Sequence, residues 1–197
     1  MTPRALRAIA GARLRAERRA LGFACVVSAL FGYLNALDPA ISLPMSYCGI
    51  LGIAWALAQS HGRHTYLDAS ERSAPLFGRE LGRAKAIAPV VCTAFTTVIY
   101  WSAQYLRGAT LPASDLLPVL AAAITATLVA LNATLKSGAT RLGICAAAGA
   151  SVAICCAIVA LRNGDPLGVA VEVLFCVVAG FFALRQYGES LARYDPL

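Results

Sequence analysis

Residues 116–135, LLPVLAAAITATLVALNATL, decide the fold class of this chain. The stretch carries no charged side chain, and its length matches the roughly 20 residues that a helix needs to cross about 30 Å of hydrocarbon. Its apolar residues do not alternate with polar ones, as they would along a strand of a membrane barrel. Helices satisfy their own backbone hydrogen bonds in lipid. The stretch therefore predicts a membrane-spanning helix.

Five further apolar runs have similar lengths. They cover residues 20–37, 41–59, 86–106, 142–161 and 166–184. A hydrophobic content of 59% and a mean hydropathy of +0.68 exclude an ordinary soluble domain. The sequence predicts an all-α polytopic membrane protein with six transmembrane helices.

The basic residues predict the orientation of these helices. Fifteen of the 17 Lys and Arg precede the first run, follow the last one, or lie in the second and fourth connections. They are Arg4, Arg7, Arg13, Arg15, Arg18, Arg19, Arg63, Arg72, Arg79, Arg83, Lys85, Lys136, Arg141, Arg185 and Arg193. Because positive residues mark the cytoplasmic side, both termini are predicted to be cytoplasmic, in the inner or plasma membrane. The same rule explains the net charge of +7, so no nucleic-acid partner is predicted.

The first 19 residues are predicted to form a basic helix ahead of the membrane domain, 20–197. At helical spacing, most of its arginines share one face, and Arg13 intrudes on the apolar face that Leu6, Ile9 and Ala10 form. The arginines of the basic face are Arg4, Arg7, Arg15, Arg18 and Arg19. Two interpretations stay open: a helix lying on the inner leaflet, or a solvated arm that only sets topology.

Motifs of enzyme chemistry are missing from the sequence. It contains no GxxxxGK[ST], HExxH or GxSxG pattern, and its apolar runs contain no His. The seven Cys form no CxxC motif and are interpreted as helix-packing residues. We therefore expect no enzyme activity, no metal and no cofactor.

Glu172 is the one ionisable residue well inside an apolar run. Intramembrane carboxylates are costly and face a cavity or a partner. One interpretation is that Glu172 snorkels or pairs with Arg162 across a short hairpin, and the other is a contact with a proton or substrate. The isolated polar residues Asn35, Gln104 and Asn132 are expected to form hydrogen bonds between helices.

The longest polar connection, 60–85, contains an amphipathic helix that is predicted to start near Ser73 and Pro75 and to continue directly into the third span. Phe77 and Leu81 lie on its apolar face, and Arg79 and Arg83 point the opposite way. The helix is either a plain connector or a docking element for a cytoplasmic partner.

The layout as a whole resembles the ABC-2-type permease subunits of ABC exporters. The closest local similarity is SERSAPLFGRELGRAKAIAP, residues 70–89. The resemblance implies that the segment 60–86 contains a coupling helix that fits a groove on a separate ATP-binding subunit. The docking residues that it implies are Glu71, Arg72, Pro75, Phe77, Arg79, Glu80, Arg83 and Lys85.

The expected function is therefore the membrane half of an exporter, which moves substrate by alternating access. The resemblance implies three partners: a separate ATP-binding subunit, a second permease copy that is identical or related, and the lipid bilayer. A non-transporting membrane scaffold or accessory subunit is the alternative from another class. An intramembrane enzyme is the weakest candidate.

Overall fold

The computed structural model describes residues 3–36, 39–61, 78–109, 115–135, 144 and 165–193. These residues form five long α-helices and no strand, which confirms the all-α class. The helices are α1 (Pro3–Asn35), α2 (Pro39–His61), α3 (Gly78–Leu106), α4 (Leu116–Thr134) and α5 (Pro166–Arg193).

The helix ends follow local sequence signals. Pro3, Pro39 and Pro166 each start a helix, where a proline has no intrahelical hydrogen bond to lose and its φ angle already suits the helix. Gly108 ends α3 with a φ of 90°. Its N–H bonds to the Tyr105 carbonyl at 2.9 Å, and the Ala109 N–H bonds to the Gln104 carbonyl at 3.0 Å. This is the Schellman arrangement that glycine favours.

Three of the five described helices are long and apolar enough to cross a membrane. The qualifying segments are 80–106, 116–134 and 166–191. The chain is thus a helical membrane protein by length and composition, but this measure does not support the full number of six spans. The predicted fifth span, 142–161, lies almost wholly outside the described residues.

The basic arm does not form a separate helix. The prediction placed a boundary between residues 19 and 20, whereas α1 runs without a break from Pro3 to Asn35. No proline or turn signal interrupts this segment, and its Ala, Leu and Arg residues favour a helix. The predicted amphipathic face is confirmed: Arg4, Arg7, Arg15, Arg18 and Arg19 are exposed, and Arg13 is buried with Ile9 and Ala10.

Contacts between the helices define their directions. At one end of the bundle, Arg13 of α1 meets His61 at the end of α2, and Gly82 near the start of α3 meets Gly188 near the end of α5. We call this the basic end. At the opposite end, Asn35 of α1 meets Tyr100 of α3. Helices α1 and α3 are therefore parallel, and α2 and α5 run the other way.

Helices α4 and α5 run in the same direction. The Thr125 hydroxyl donates to the Cys176 carbonyl at 2.8 Å, and the Asn132 amide donates to the Ala183 carbonyl at 2.8 Å. The paired positions advance together along both helices. Consequently α4 ends at the basic end and α5 starts at the opposite end, so Leu135 and Asp165 lie at opposite ends of the bundle.

Close contact between the helices depends on glycine. A Cβ atom at Gly82 would lie 2.7 Å from the Gly188 Cα. One at Gly180 would lie 3.1 Å from the Thr125 hydroxyl oxygen. Small residues let backbones approach in this way in membrane proteins. The predicted small-residue face at Gly143, Ala147 and Ser151 lies outside the described residues.

Candidate functional site: a buried charged cluster

Four ionisable side chains are buried together at the basic end. Arg13 and Glu17 come from α1, His61 ends α2, and Lys85 lies near the start of α3. Their exposed fractions are 2%, 0%, 2% and 6%, respectively. Charged residues are almost never fully buried unless they are paired, so this arrangement is unusual. We call these four residues the charged cluster.

The histidine is the centre of the charged cluster. Its Nδ1 is in hydrogen-bond contact with Oε1 of Glu17. Its backbone carbonyl accepts a hydrogen bond from Nη1 of Arg13 at 3.3 Å. A cation at that position also interacts favourably with the negative end of the α2 dipole. The contacts of His61 thereby join α2 to α1.

Electrostatics favour the neutral imidazole. Burial lowers the pKa of His61 below its ordinary 6.5, and the positive charges of Arg13 and Lys85 lower it further. The hydrogen bond and negative charge of Glu17 act in the opposite direction, but burial is the larger effect. Lys85 is thus close enough to act on His61, and the charged cluster connects α1, α2 and α3.

Two polar atoms of the charged cluster have no hydrogen-bond partner among the described residues. They are Oε2 of Glu17 and Nε2 of His61. A buried polar atom without a partner costs stability, and such sites are often functional or hydrated. Within the described ranges, no three His, Cys, Asp or Glu side chains are grouped so that they could hold a metal ion.

A second polar region lies at the opposite end. Glu172 is only 3% exposed, and the Tyr47 hydroxyl donates to its Oε1 at 2.5 Å. Nearby, the Gln104 amide donates to the Ser46 hydroxyl at 2.8 Å. Glu172 therefore faces α2 rather than the surface. Arg162 lies outside the described residues, so its pairing with Glu172 stays a prediction.

The hydrogen bonds predicted for the isolated polar residues are confirmed. The Asn35 amide donates to the Tyr100 hydroxyl at 2.6 Å and joins α1 to α3. Gln104 joins α3 to α2, and Asn132 joins α4 to α5. These bonds join the helices of the bundle, although Oε1 of Gln104 and Oδ1 of Asn132 have no hydrogen-bond partner among the described residues.

An apolar groove of about 380 Å³ runs between α4 and α5. Leu120, Ile124, Val177 and Phe181 are among its lining residues. Its one hydroxyl, on Thr125, already donates to the Cys176 carbonyl. A binding site needs a few polar groups to orient a polar ligand, so we do not assign this groove to a polar substrate.

The predicted docking residues fall into two groups. Glu71, Arg72, Pro75 and Phe77 lie outside the described residues. Arg79 belongs to the first turn of α3, Glu80 is half-buried, Arg83 is exposed and Lys85 is buried. The prediction that the amphipathic segment continues into the third span is confirmed from Gly78 onwards, since α3 is one helix to Leu106.

Glu17 and His61 were not among the site residues predicted from the sequence. One signal for Glu17 was available, because it follows Arg13 by four residues and so shares the face on which Arg13 intrudes. No signal linked His61 to either residue, since its partners lie 44 or more positions away in the sequence.

Comparison with protein families, characterised proteins and solved structures finds no match to this chain.

Proposed function

We propose that the chain is the membrane-spanning subunit of an ABC-type exporter and that a separate subunit hydrolyses ATP. The observation that carries the proposal is the position of the charged cluster. Residues 78–85 are continuous with the spanning part of α3, and Lys85 within them lies beside His61 and its partners. A displacement of this segment would act on α1, α2 and α3 together, as alternating access requires.

The lengths of the helices add support. At about 1.5 Å per residue, α1, α3 and α5 are roughly 40–50 Å long, which exceeds the roughly 30 Å of hydrocarbon. The excess lies at the basic end, where Arg15, Arg18 and Arg83 are exposed. An acidic surface of a cytoplasmic ATPase would find complementary charge there.

The proposed topology has six spans with both termini in the cytoplasm. Helices α4 and α5 are parallel, so a crossing by residues 142–161 supplies the required return to the opposite end. An even number of crossings then places 15 of the 17 Lys and Arg on one side, in agreement with the positive-inside rule.

We expect cysteine labelling to show this topology. In a variant whose seven native cysteines are replaced with alanine, single cysteines introduced at Asp38, Thr110 and Gly164 should react with a membrane-impermeant maleimide in intact cells. One at Ser70 should react only after permeabilisation. Position 164 is decisive, because it reports whether 142–161 crosses. Labelling of position 164 only after permeabilisation would contradict the six-span topology.

If the chain is an exporter subunit, reversing the charges of two arginines at the start of α3 should weaken its binding to the ATP-hydrolysing subunit. Arg79→Glu together with Arg83→Glu should reduce copurification of an ATP-hydrolysing subunit at least tenfold, because repulsion replaces attraction at the interface. Copurification is measured by ATPase activity and by peptides that carry a phosphate-binding loop. Arg185→Glu is the matched control, since Arg185 is also exposed at the basic end but lies on α5 and bonds to Glu189 at 3.0 Å.

A non-transporting scaffold or accessory subunit is the second candidate. It is favoured by the groove between α4 and α5, whose apolar lining offers no path for a polar substrate within the described bundle. For an exporter, the path would then lie between two copies of the subunit. Helix α5 offers a surface for such a contact, since only 22% of its spanning segment is buried. A wild-type preparation that is free of any ATPase would favour the scaffold.

A further inference from the structure

The two nitrogens of His61 have different surroundings. Nδ1 contacts the carboxylate of Glu17, which accepts hydrogen bonds and does not donate them. Nδ1 therefore carries the proton of the neutral ring. Nε2 is buried and has no partner among the described residues. In the neutral ring Nε2 is an acceptor, so the site tolerates this tautomer.

A second proton would change the charge of the site. It would bind at Nε2 and create a buried N–H donor for which the described residues offer no acceptor. It would also place a third positive charge beside Arg13 of α1 and Lys85 of α3, with Glu17 of α1 as the only carboxylate among the described groups that act on His61. Uncompensated charge in a buried site is strongly unfavourable.

We propose that His61 is an acid-sensitive latch, and that uptake of a proton from solution at Nε2 releases α3 from α1 and α2 at the basic end. The proposal is independent of the exporter function, because it concerns the isolated chain. The latch holds when His61 is neutral, and it opens because a hydrated imidazolium is far more stable than a buried one.

The direction of the pH dependence follows from the surroundings of His61. Burial and the two neighbouring cations hold its pKa in the closed state below the ordinary 6.5. In the open state the ring is hydrated and binds a proton near that ordinary value. The open state therefore binds more protons, and the closed state is fully favoured only above about pH 6.5. Below that value, the ratio of closed to open molecules falls by up to about tenfold per pH unit, until the pH reaches the lower pKa of His61 in the closed state.

Hydrogen–deuterium exchange of the full-length protein in nanodiscs tests the latch. We expect protection of the amides in residues 80–88 to fall about tenfold between pH 7.5 and 5.5, after correction for the intrinsic exchange rate. Amides in residues 120–132 of α4, away from the charged cluster, should keep their protection. No ATPase or nucleotide is present, so the result does not depend on the exporter proposal.

His61→Gln is the matched variant. Its amide N–H can still donate to Glu17, but the side chain cannot take up a proton, so protection of residues 80–88 should not change with pH. An equal acid-induced loss in this variant would overturn the latch, as would the absence of any loss in the wild type.

A second measurement needs no variant at His61. The ring carbon resonances of the wild-type histidines are titrated by NMR, with His64→Gln used to assign them. A midpoint for His61 below 6.5 agrees with the proposal, and a midpoint at or above 6.5 overturns it.

Discussion

Replacing Glu17 with Gln is expected to destabilise the protein by about 3–5 kcal/mol, because it removes the one carboxylate of the charged cluster and leaves the buried charges of Arg13 and Lys85 less compensated. The substitution keeps the size of the side chain and an oxygen that accepts from His61, so it removes little more than the charge. Arg13 and Lys85 then share a buried site that has lost a carboxylate. Denaturant unfolding in detergent micelles, monitored by the circular dichroism of the helices, measures the difference.

Glu189→Gln is the control for Glu17→Gln. Glu189 pairs with Arg185 four residues earlier in α5, but the two side chains are 35% and 54% exposed. Solvent screens such a pair, and its loss should cost less than about 0.5 kcal/mol. A double variant, Glu17→Gln with Lys85→Met, should recover part of the lost stability because it also removes a cation. Equal effects of Glu17→Gln and Glu189→Gln would show that the carboxylate of Glu17 does not compensate the buried charges of the cluster.

Gly32→Ala is expected to cost roughly 1–3 kcal/mol or more, the range for overpacking of a close contact. A Cβ atom at Gly32 would overlap the Tyr100 carbonyl oxygen, and it would lie 3.0 Å from that carbonyl carbon and 3.1 Å from the Ala103 Cβ. Two of these three atoms belong to the backbone of α3, which cannot rotate away. α1 and α3 must therefore separate, and the bond between Asn35 and Tyr100 should lengthen or break.

Gly22→Ala on the same helix is the matched control. No atom of the described residues lies within 4 Å of a Cβ at Gly22, so the new methyl group meets no obstacle among them. Alanine is also the better helix former by up to about 1 kcal/mol. The two substitutions should therefore change the unfolding free energy in opposite directions. Destabilisation of both by the same amount would show that the close approach of α1 to α3 is not the cause.

The fold class could be predicted because a membrane span is a local property. Residues 116–135 contain enough apolar length for a crossing whatever the neighbouring helices do, and α4 covers almost the same range, Leu116–Thr134. The exposed and buried faces of the basic arm also follow from helical periodicity alone. The boundary at residue 19 could not be placed, because composition changes there but backbone conformation does not.

The candidate site could be predicted only in fragments. Arg13 on an apolar face is visible in the sequence, and so is the intramembrane position of Glu172. Their partners, His61 and Tyr47, are ordinary residues near the ends of α2 until the bundle is assembled. A histidine that follows an apolar run has no reason in the sequence to be buried.

The amino-acid sequence by itself determined that this protein is helical, apolar enough for a membrane and asymmetric in its basic residues, because length, hydropathy and charge act along the chain. Only the tertiary structure decided that α4 and α5 run parallel, that Gly32 and Gly82 permit backbone contact, and that Arg13, Glu17, His61 and Lys85 share one buried site. These features depend on which helix faces meet. Interactions between distant residues settle that choice, because the free energy of burying a charge depends on every neighbour around it.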